Sequence, residues 1–234
     1  MDELSPVCIL AGGKGTRLGV SDRPKPLVEV AGEPFLFHPL RLLRSHGARQ
    51  VVLLVDHLGE QIAEAVGDGS AFGLEATVLF DAPGFTGTAG ALRGALEHLG
   101  DEFLVLYGDT YLRIDYHAVQ VARRASARLA LMTVLRNAGR WGQSNADYGD
   151  GIVRRHDKHA PDAGMAWIDF GLGVLTPQAL ERAPDSDDLA DVYRELAADG
   201  ELAGFVATER FYEIGSPAAL AETEAFLNAS NAGA

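Results

Sequence analysis

The sequence of 234 residues predicts an α/β fold, a three-layer α/β/α sandwich around a mainly parallel, mixed sheet. Two observations carry this prediction. Short apolar runs recur with helix-length segments between them, at 7–11, 51–55, 76–80 and 103–107. The runs are continuous rather than alternating, which indicates strands that helices cover on both faces. Ligands of such sheets bind beyond the carboxyl ends of the strands.

The helices are predicted from apolar residues that repeat with helical spacing, at 34–46, 58–66, 89–99, 115–125 and 188–198. Further strands are expected at 129–135, 168–175 and 204–208. The stretch between residues 136 and 167 is polar and rich in glycine, so we expect it to form a small antiparallel flap over the sheet. A last helix should begin at Pro217, with Ser216 as its cap.

The composition excludes several classes of protein. The chain has 33 Asp and Glu against 20 Lys and Arg, a net charge of −13, which argues against nucleic-acid and anionic-membrane binding. No segment approaches the ~18 apolar residues of a membrane span, and the acidic start is unlike a secretion signal. The single cysteine, Cys8, lies in an apolar run, which predicts a buried thiol in a cytoplasmic protein.

Lysine is scarce in this chain. Of the 20 basic residues only Lys14, Lys25 and Lys158 are lysines, and the others are arginines. The three positions are candidates for sites that require a compact ammonium, such as a contact with one phosphate oxygen, although each lysine could also remain by chance.

A glycine-rich loop follows the first strand, with glycines at 12, 13 and 15. Such a backbone can approach a ligand closely and direct its N–H groups at an anion. The dinucleotide fingerprint would need glycine where Leu18 stands, and the ATP-binding P-loop would need Ser or Thr after Lys14. Neither motif is satisfied, so the loop alone does not identify its ligand.

The residues that follow the loop carry a resemblance. LAGGKGTRL followed by PKP resembles the signature of the sugar-1-phosphate nucleotidyltransferases. Similar motifs continue in the family's order: GTAGAL at 87–92, VLYGD at 105–109, DK at 157–158, FGLGVL at 170–175 and YEIGSP at 212–217. The resemblance implies the Rossmann-like nucleotide-diphospho-sugar transferase fold in one domain, 1–234, with a nucleotide-binding half at 1–114 and a sugar-phosphate-binding half at 115–234.

The resemblance also implies a reaction of the EC 2.7.7 type. A sugar-1-phosphate oxygen attacks the α-phosphorus of a nucleoside triphosphate in line, and pyrophosphate leaves. Arg17 would hold the leaving β- and γ-phosphates, Lys25 would contact the α-phosphate, and Lys158 would hold the sugar phosphate. The nucleotide would be held by Ala11, Gly12, Gly13, Gly15, Thr16, Gly87, Thr88 and Gly108.

Metal and sugar residues follow from the same resemblance. Asp109 is the fourth catalytic residue and would bind Mg2+ together with Glu213, which stands where the family usually has Asp. The sugar hydroxyls would meet Asn145, Asp157, Asp169 and Gly171, each of which could equally be a turn residue.

The substrates are less sharply predicted. The GTAG motif at 87–90 resembles the guanylyltransferase branch of the family, which implies GTP, with D-glycero-D-manno-heptose-1-phosphate or mannose-1-phosphate as its partner. The alternatives are UTP with N-acetylmuramate-1-phosphate or another hexose-1-phosphate, and a catalytically silent nucleotide-binding module. A nicotinamide-dependent dehydrogenase would require Leu18 to replace a glycine. We expect a monomer or small homo-oligomer that binds neither nucleic acid nor membranes.

Overall fold

A computed structural model describes residues 3–13, 18–19, 22–81 and 85–231 of the chain. It confirms the predicted α/β class. Its strands are β1 Val7–Leu10, β2 Glu29–Val30, β3 Glu33–Pro34, β4 Gln50–Val55, β5 Glu75–Phe80, β6 Phe103–Tyr107, β7 Thr110–Tyr111, β8 Ala130–Arg136, β9 Ala146–Gly149, β10 Ile152–His156, β11 Trp167–Leu175, β12 Leu202–Val206 and β13 Tyr212–Glu213.

The α-helices of the described residues agree with the predicted segments, with two shifts at helix ends. They are α1 Phe37–Ser45, α2 Gly59–Val66, α3 Gly87–Gly94, α4 Leu96–Leu99, α5 Tyr116–Ser126, α6 Leu189–Ala198 and α7 Pro217–Asn231. The segment 89–99, predicted as one helix, is interrupted at Ala95 and begins two residues earlier. The segment 34–46 begins as a helix only at Phe37, because Glu33–Pro34 pairs with Glu29–Val30 as a strand.

The large sheet has nine strands in the described residues, in the order β5-β4-β1-β6-β11-β8-β12-β10-β9. The four strands β5, β4, β1 and β6 are parallel to one another. β11 then runs antiparallel between β6 and β8. The carboxyl ends of the first four strands therefore meet at one edge, which is where the sequence predicts the ligand.

The antiparallel hairpin predicted within 136–167 is present as β9 and β10, but it does not lie over the sheet. β10 pairs with β12 and β9 pairs with β10, so the hairpin extends the large sheet itself. β9 also meets the first residue of β11, where Ala146 pairs with Trp167. The nine-residue β11 is long enough to pair with β6 along its second half and to reach β9 with its first residue.

Apolar side chains fill both faces of the sheet, as the continuous runs predict. In β4, Val51, Leu53 and Val55 belong to the core on one face, and Val52 and Leu54 belong to the core on the other.

Cys8 is fully buried, and burial raises the pKa of its thiol. The predicted cap of α7 is confirmed, since the Ser216 hydroxyl accepts the Ala219 N–H at 3.2 Å. Within the described ranges, no helix combines the length and apolar character needed to cross a bilayer.

Candidate active site

A cavity of about 400 Å³ opens at the carboxyl edge of the parallel strands. The segments that follow β1, β4, β5 and β6 form its rim, and α3 forms one wall. Most of the residues predicted to bind the nucleotide line it, together with two predicted catalytic residues: Ala11, Gly12, Gly13, Gly87, Thr88, Gly108, Lys25 and Asp109. The structure thus brings residues from four separate motifs to one cavity.

Gly108 allows the segments after β1 and β6 to lie side by side. A Cβ atom at this position would stand 3.1 Å from the Leu10 carbonyl oxygen and 3.2 Å from Ala11. The Gly108 N–H donates to that same carbonyl at 2.9 Å, which fixes the contact. Glycine is therefore needed here for backbone packing. This packing fixes the backbone of the next residue, Asp109, beside the segment that follows β1.

Lys25 and Asp109 form an ion pair inside the cavity. Lys25 opens a single 3₁₀ turn, Lys25–Leu27, between Pro24 and the buried Pro26. Its ammonium donates to the Asp109 carboxylate, and the two side chains are 11% and 30% exposed. The two prolines restrict the backbone around the lysine and so limit the directions that its side chain can take.

Glu213 lies on the segment that packs beside Asp109. β13 pairs with β7 so that Glu213 stands opposite Thr110, and the Ile214 N–H donates to the Asp109 carbonyl at 3.1 Å. Two carboxylates from distant parts of the chain thus belong to adjacent backbone segments. Hard carboxylate oxygens of this kind suit Mg2+, which commonly takes one or two of them and completes its shell with phosphates and water. Among the described residues, no group of three or more metal-ligating side chains exists.

The four residues predicted to bind sugar are joined by hydrogen bonds. The Asn145 side-chain oxygen accepts the Asp169 N–H at 2.9 Å, and the Asn145 carbonyl accepts the Asp157 N–H at 2.9 Å. The Asp169 carboxylate accepts the Gly171 N–H at 2.9 Å. Gly171 has φ of +97° and lies within the register shift of β11. Each residue therefore has a role in backbone geometry, and binding of sugar by them stays a prediction.

Lys158 lies outside the cavity lining but is linked to it. Its ammonium is 3.9 Å from the Asp188 carboxylate and its side chain is 55% exposed. Asp188 also accepts the Thr88 hydroxyl at 3.3 Å, and Thr88 lines the cavity. The Asp157 carboxylate accepts the N–H groups of His159 and Ala160, which lowers its pKa. These contacts place the segment 157–160, which carries Lys158, beside the beginning of α6.

A buried polar cluster lies next to the sugar-side residues. Burial raises the pKa of the Asp169 carboxyl, although the charge of His156 opposes this. Burial also lowers the pKa of His156, which packs edge-on against Tyr193 with ring centroids 5.8 Å apart. Burial raises the pKa of Tyr107, which lines the cavity, and the charges of Asp169 and Asp188 add to that rise.

Three predicted residues cannot be placed. Gly15, Thr16 and Arg17 lie outside the described residues, as does Lys14. Sequence reasoning in turn missed Asp56, Asp81, Tyr107 and Asp188, of which the first three line the cavity. Asp56 and Asp81 follow the strands β4 and β5 directly, so their position after two predicted apolar runs was a signal that could have found them.

Known proteins resemble this chain in sequence and in fold. The MobA-like NTP transferase domain matches residues 7–211. An N-acetylmuramate α-1-phosphate uridylyltransferase of Neisseria meningitidis is 30% identical, covering 94% of this chain and 97% of the relative. A probable glucose-1-phosphate cytidylyltransferase of Bacillus subtilis is 28% identical, covering 83% and 85%. The crystal structure of HddC from Yersinia pseudotuberculosis complexed with GMP-PN has a TM-score of 0.75 and 26% identity, covering 95% and 100%.

The domain match spans most of the chain, and the uridylyltransferase aligns over nearly its full length. Residues from four of the motifs that carry the resemblance also meet at one cavity, at the expected edge of the sheet. The chain therefore belongs to the MobA-like NTP transferase family and is a sugar-1-phosphate nucleotidyltransferase.

Proposed function

We propose that the enzyme transfers GMP from GTP to D-glycero-D-manno-heptose-1-phosphate or mannose-1-phosphate and releases pyrophosphate. The observation that carries the reaction is the Lys25–Asp109 pair at the mouth of the parallel strands. GTP is favoured by the GTAG motif at the start of α3 and by the likeness to HddC, which was crystallised with GMP-PN. UTP with N-acetylmuramate-1-phosphate is the second candidate, because a uridylyltransferase for that sugar is 30% identical.

The proposed mechanism assigns the residues by charge. The Lys25 ammonium leaves its ion pair with Asp109 and contacts the α-phosphate instead. There it stabilises the charge that develops as the sugar phosphate attacks. Arg17 holds the leaving pyrophosphate through a bidentate fork. Lys158 exchanges Asp188 for the incoming sugar phosphate, a movement that its long stem permits.

Asp109 and Glu213 would hold the Mg2+ in this proposal, and their carboxylate oxygens fit that ion. When bound, Mg2+ would neutralise phosphate charge during the transfer. Asn145, Asp157, Asp169 and Gly171 would orient the sugar on the strand edge. We place the enzyme in the cytoplasm, where its single thiol stays reduced, as a monomer or small homo-oligomer.

A substrate matrix tests the proposal. Purified protein is incubated with GTP, CTP, UTP, dTTP or ATP against heptose-, mannose-, glucose- and N-acetylmuramate-1-phosphates, and each nucleotide-sugar is identified by its mass. We expect the largest yield with GTP, complete dependence on both substrates, and loss of product with excess chelator or in Asp109→Asn.

Nucleotide binding without product for every pair would instead favour the catalytically silent module. A larger yield of UDP-N-acetylmuramate would favour the second candidate. Undiminished turnover in excess chelator would contradict the proposed metal dependence.

A further inference from the structure

The last helix, α7, packs against the short strand that carries Glu213. Thr223 of this helix is 1% exposed, and its hydroxyl donates to the Glu213 carbonyl at 2.7 Å. The two residues are ten positions apart, so the chain turns back after β13 and lays α7 against it. The hydrogen bond therefore ties the backbone of Glu213 to the helix.

Other side chains of α7 support the residues on either side of Glu213. The ring of Tyr212 stacks on that of Phe226, with centroids 3.9 Å apart and planes inclined by 16°. Ile214 is fully buried in a small apolar core to which Leu227 also belongs. The helix thus supports three consecutive residues, two through side-chain packing and Glu213 through its carbonyl.

The supported segment reaches two parts of the candidate site. The Ile214 N–H donates to the Asp109 carbonyl at 3.1 Å, which joins the segment to the backbone of the other predicted metal ligand. The Glu213 carboxylate lies over Gly215, since a Cβ atom on Gly215 would stand 3.1 Å from Glu213 Oε2 and 3.4 Å from Oε1. Gly215 lines the cavity. A shift of this backbone would therefore move the Glu213 carboxylate relative to Asp109.

A glutamate at this position needs such support more than an aspartate would. Its longer side chain has one more rotatable bond, so it loses more conformational freedom when its carboxylate is fixed on an ion. A firmly held backbone at Glu213 confines that freedom to the side chain. Groups that orient a metal ligand without touching the metal contribute strongly to the affinity of a metal site.

We propose that Thr223 is a positioning residue for nucleotidyl transfer. Its hydroxyl holds the backbone of Glu213 so that the carboxylate stays beside Asp109, where the two would bind Mg2+. Thr223 acts only through Glu213 in this role. The inference rests on the proposed function in assigning Mg2+ to Glu213.

Thr223→Val tests the proposal, because valine has nearly the same shape as threonine and lacks the hydroxyl. The affinity for GTP, or for UTP if the wild type binds it more tightly, is measured by titration calorimetry in excess Mg2+ and in excess chelator. We expect the gain in affinity that Mg2+ brings to fall about 10-fold in Thr223→Val, as is typical when a group that orients a metal ligand is lost. The affinity in chelator should equal that of the wild type. Thr223→Ser keeps the hydroxyl and should retain most of the gain.

Amide hydrogen exchange adds a measurement that needs neither metal nor turnover. In the protein without ligands, the Ile214 N–H should exchange faster in Thr223→Val than in the wild type. Its bond to the Asp109 carbonyl depends on the same backbone that the Thr223 hydroxyl holds, so loss of the hydroxyl should make local opening easier.

Thr176→Val is the matched control. Thr176 is also buried, and its hydroxyl donates to the Leu129 carbonyl at 3.1 Å. It follows the end of β11 that pairs with Phe103, at the edge of the sheet opposite the cavity. This variant should keep the wild-type Mg2+ gain and the wild-type exchange of Ile214, and thermal unfolding confirms that each variant is folded. Equal losses of the Mg2+ gain in the two valine variants, or no loss in Thr223→Val, would overturn the inference.

The results also separate the two proposals. If no sugar phosphate is converted but Thr223→Val loses the Mg2+ gain and the protection of Ile214, the proposed activity fails and the positioning role stands. If product forms and Thr223→Val keeps both, the activity stands and the positioning role fails.

Discussion

Lys25 lies in the candidate active site, and the type of its basic side chain suits its surroundings. It is one of three lysines among 20 basic residues, and its side chain is largely enclosed beside Asp109. An ammonium on a thin stem can occupy this position, whereas a guanidinium is planar and broader at its end. The scarcity of lysine and the narrow space around Lys25 both indicate that this position requires an ammonium rather than a guanidinium.

Lys25→Arg should lower kcat by about 100-fold or more although the charge is kept, because the wider group displaces the α-phosphate contact. Steady-state rates of nucleotide-sugar formation measure this. The control is Arg49→Lys, an exposed residue before the amino end of β4 that pairs with Glu3 at 3.2 Å, and it should keep wild-type rates. Near-normal turnover in Lys25→Arg would contradict the argument from the scarce lysines.

The resemblance to the nucleotidyltransferases supplied most of the residues that line the cavity, and the strand pattern explains why they meet there. Gly12, Gly108 and Asp109 each come after a run of buried residues, and parallel strands bring their ends together. Asp188 could not be found in this way. It meets Thr88, a residue 100 positions earlier in the chain, and only the packing of α6 beside α3 makes that contact.

At the level of elements, the beginning of α6 connects the two predicted halves of the chain. The Asp188 carboxylate caps the helix by accepting the Ala190 N–H at 2.9 Å and also accepts the Thr88 hydroxyl. Thr88 in turn accepts the Leu189 N–H at 2.8 Å. One helix end therefore orders a residue of the cavity wall and the neighbourhood of Lys158.

Asp188→Ala should lower the free energy of unfolding by more than the roughly 1 kcal/mol typical of a lost cap, because Thr88 loses a partner as well. Chemical denaturation measures this. Asp115→Ala is the matched comparison, since Asp115 caps α5 by accepting the Ala118 N–H at 2.9 Å. Asp188→Asn should keep most of the unfolding free energy that Asp188→Ala loses, because its amide oxygen can still accept hydrogen bonds. If Asp188→Ala lowers the free energy of unfolding no more than Asp115→Ala does, the stabilising contact between Asp188 and Thr88 is contradicted.

The position of the β9–β10 hairpin is an element-scale feature that the sequence did not predict. Its polar residues and its turn at Asp150 and Gly151, both with positive φ, indicate a hairpin. They do not indicate which strand the hairpin joins. The partners are chosen by the unpaired backbone groups of β12 and by the length of β11, which are properties of the assembled sheet.

For the whole molecule, the buried polar cluster makes stability depend on pH. Burial lowers the pKa of His156 from its ordinary value of 6.5. As the pH falls below that value, the unfolded chain takes up a proton that the folded chain resists, so folding weakens. His156 thus weakens folding in acid, whereas Asp169, whose pKa is raised by burial, takes up a proton in the folded chain first and acts in the opposite direction.

His156→Phe should reduce this dependence, because phenylalanine fills similar space beside Tyr193 and binds no proton. We expect the change in unfolding free energy between pH 7 and pH 5 to be less unfavourable in the variant than in the wild type; denaturation curves across that range measure the difference. The surface variant His98→Phe should follow the wild type. Identical slopes for the wild type and His156→Phe would refute the assignment.

In the proposed mechanism, the Lys25–Asp109 ion pair would also govern the order in which ligands bind. A cation that arrives alone must take Asp109 from the ammonium and leave Lys25 enclosed without a counter-charge, which is costly. A cation that arrives on a triphosphate brings the replacement anion with it. Affinities for Mg2+ and nucleotide should therefore rise together, and equal Mg2+ affinity with and without GTP would contradict this linkage. In the proposed mechanism the ion pair would thus keep Asp109 from binding a free cation, and the metal would enter together with the nucleotide.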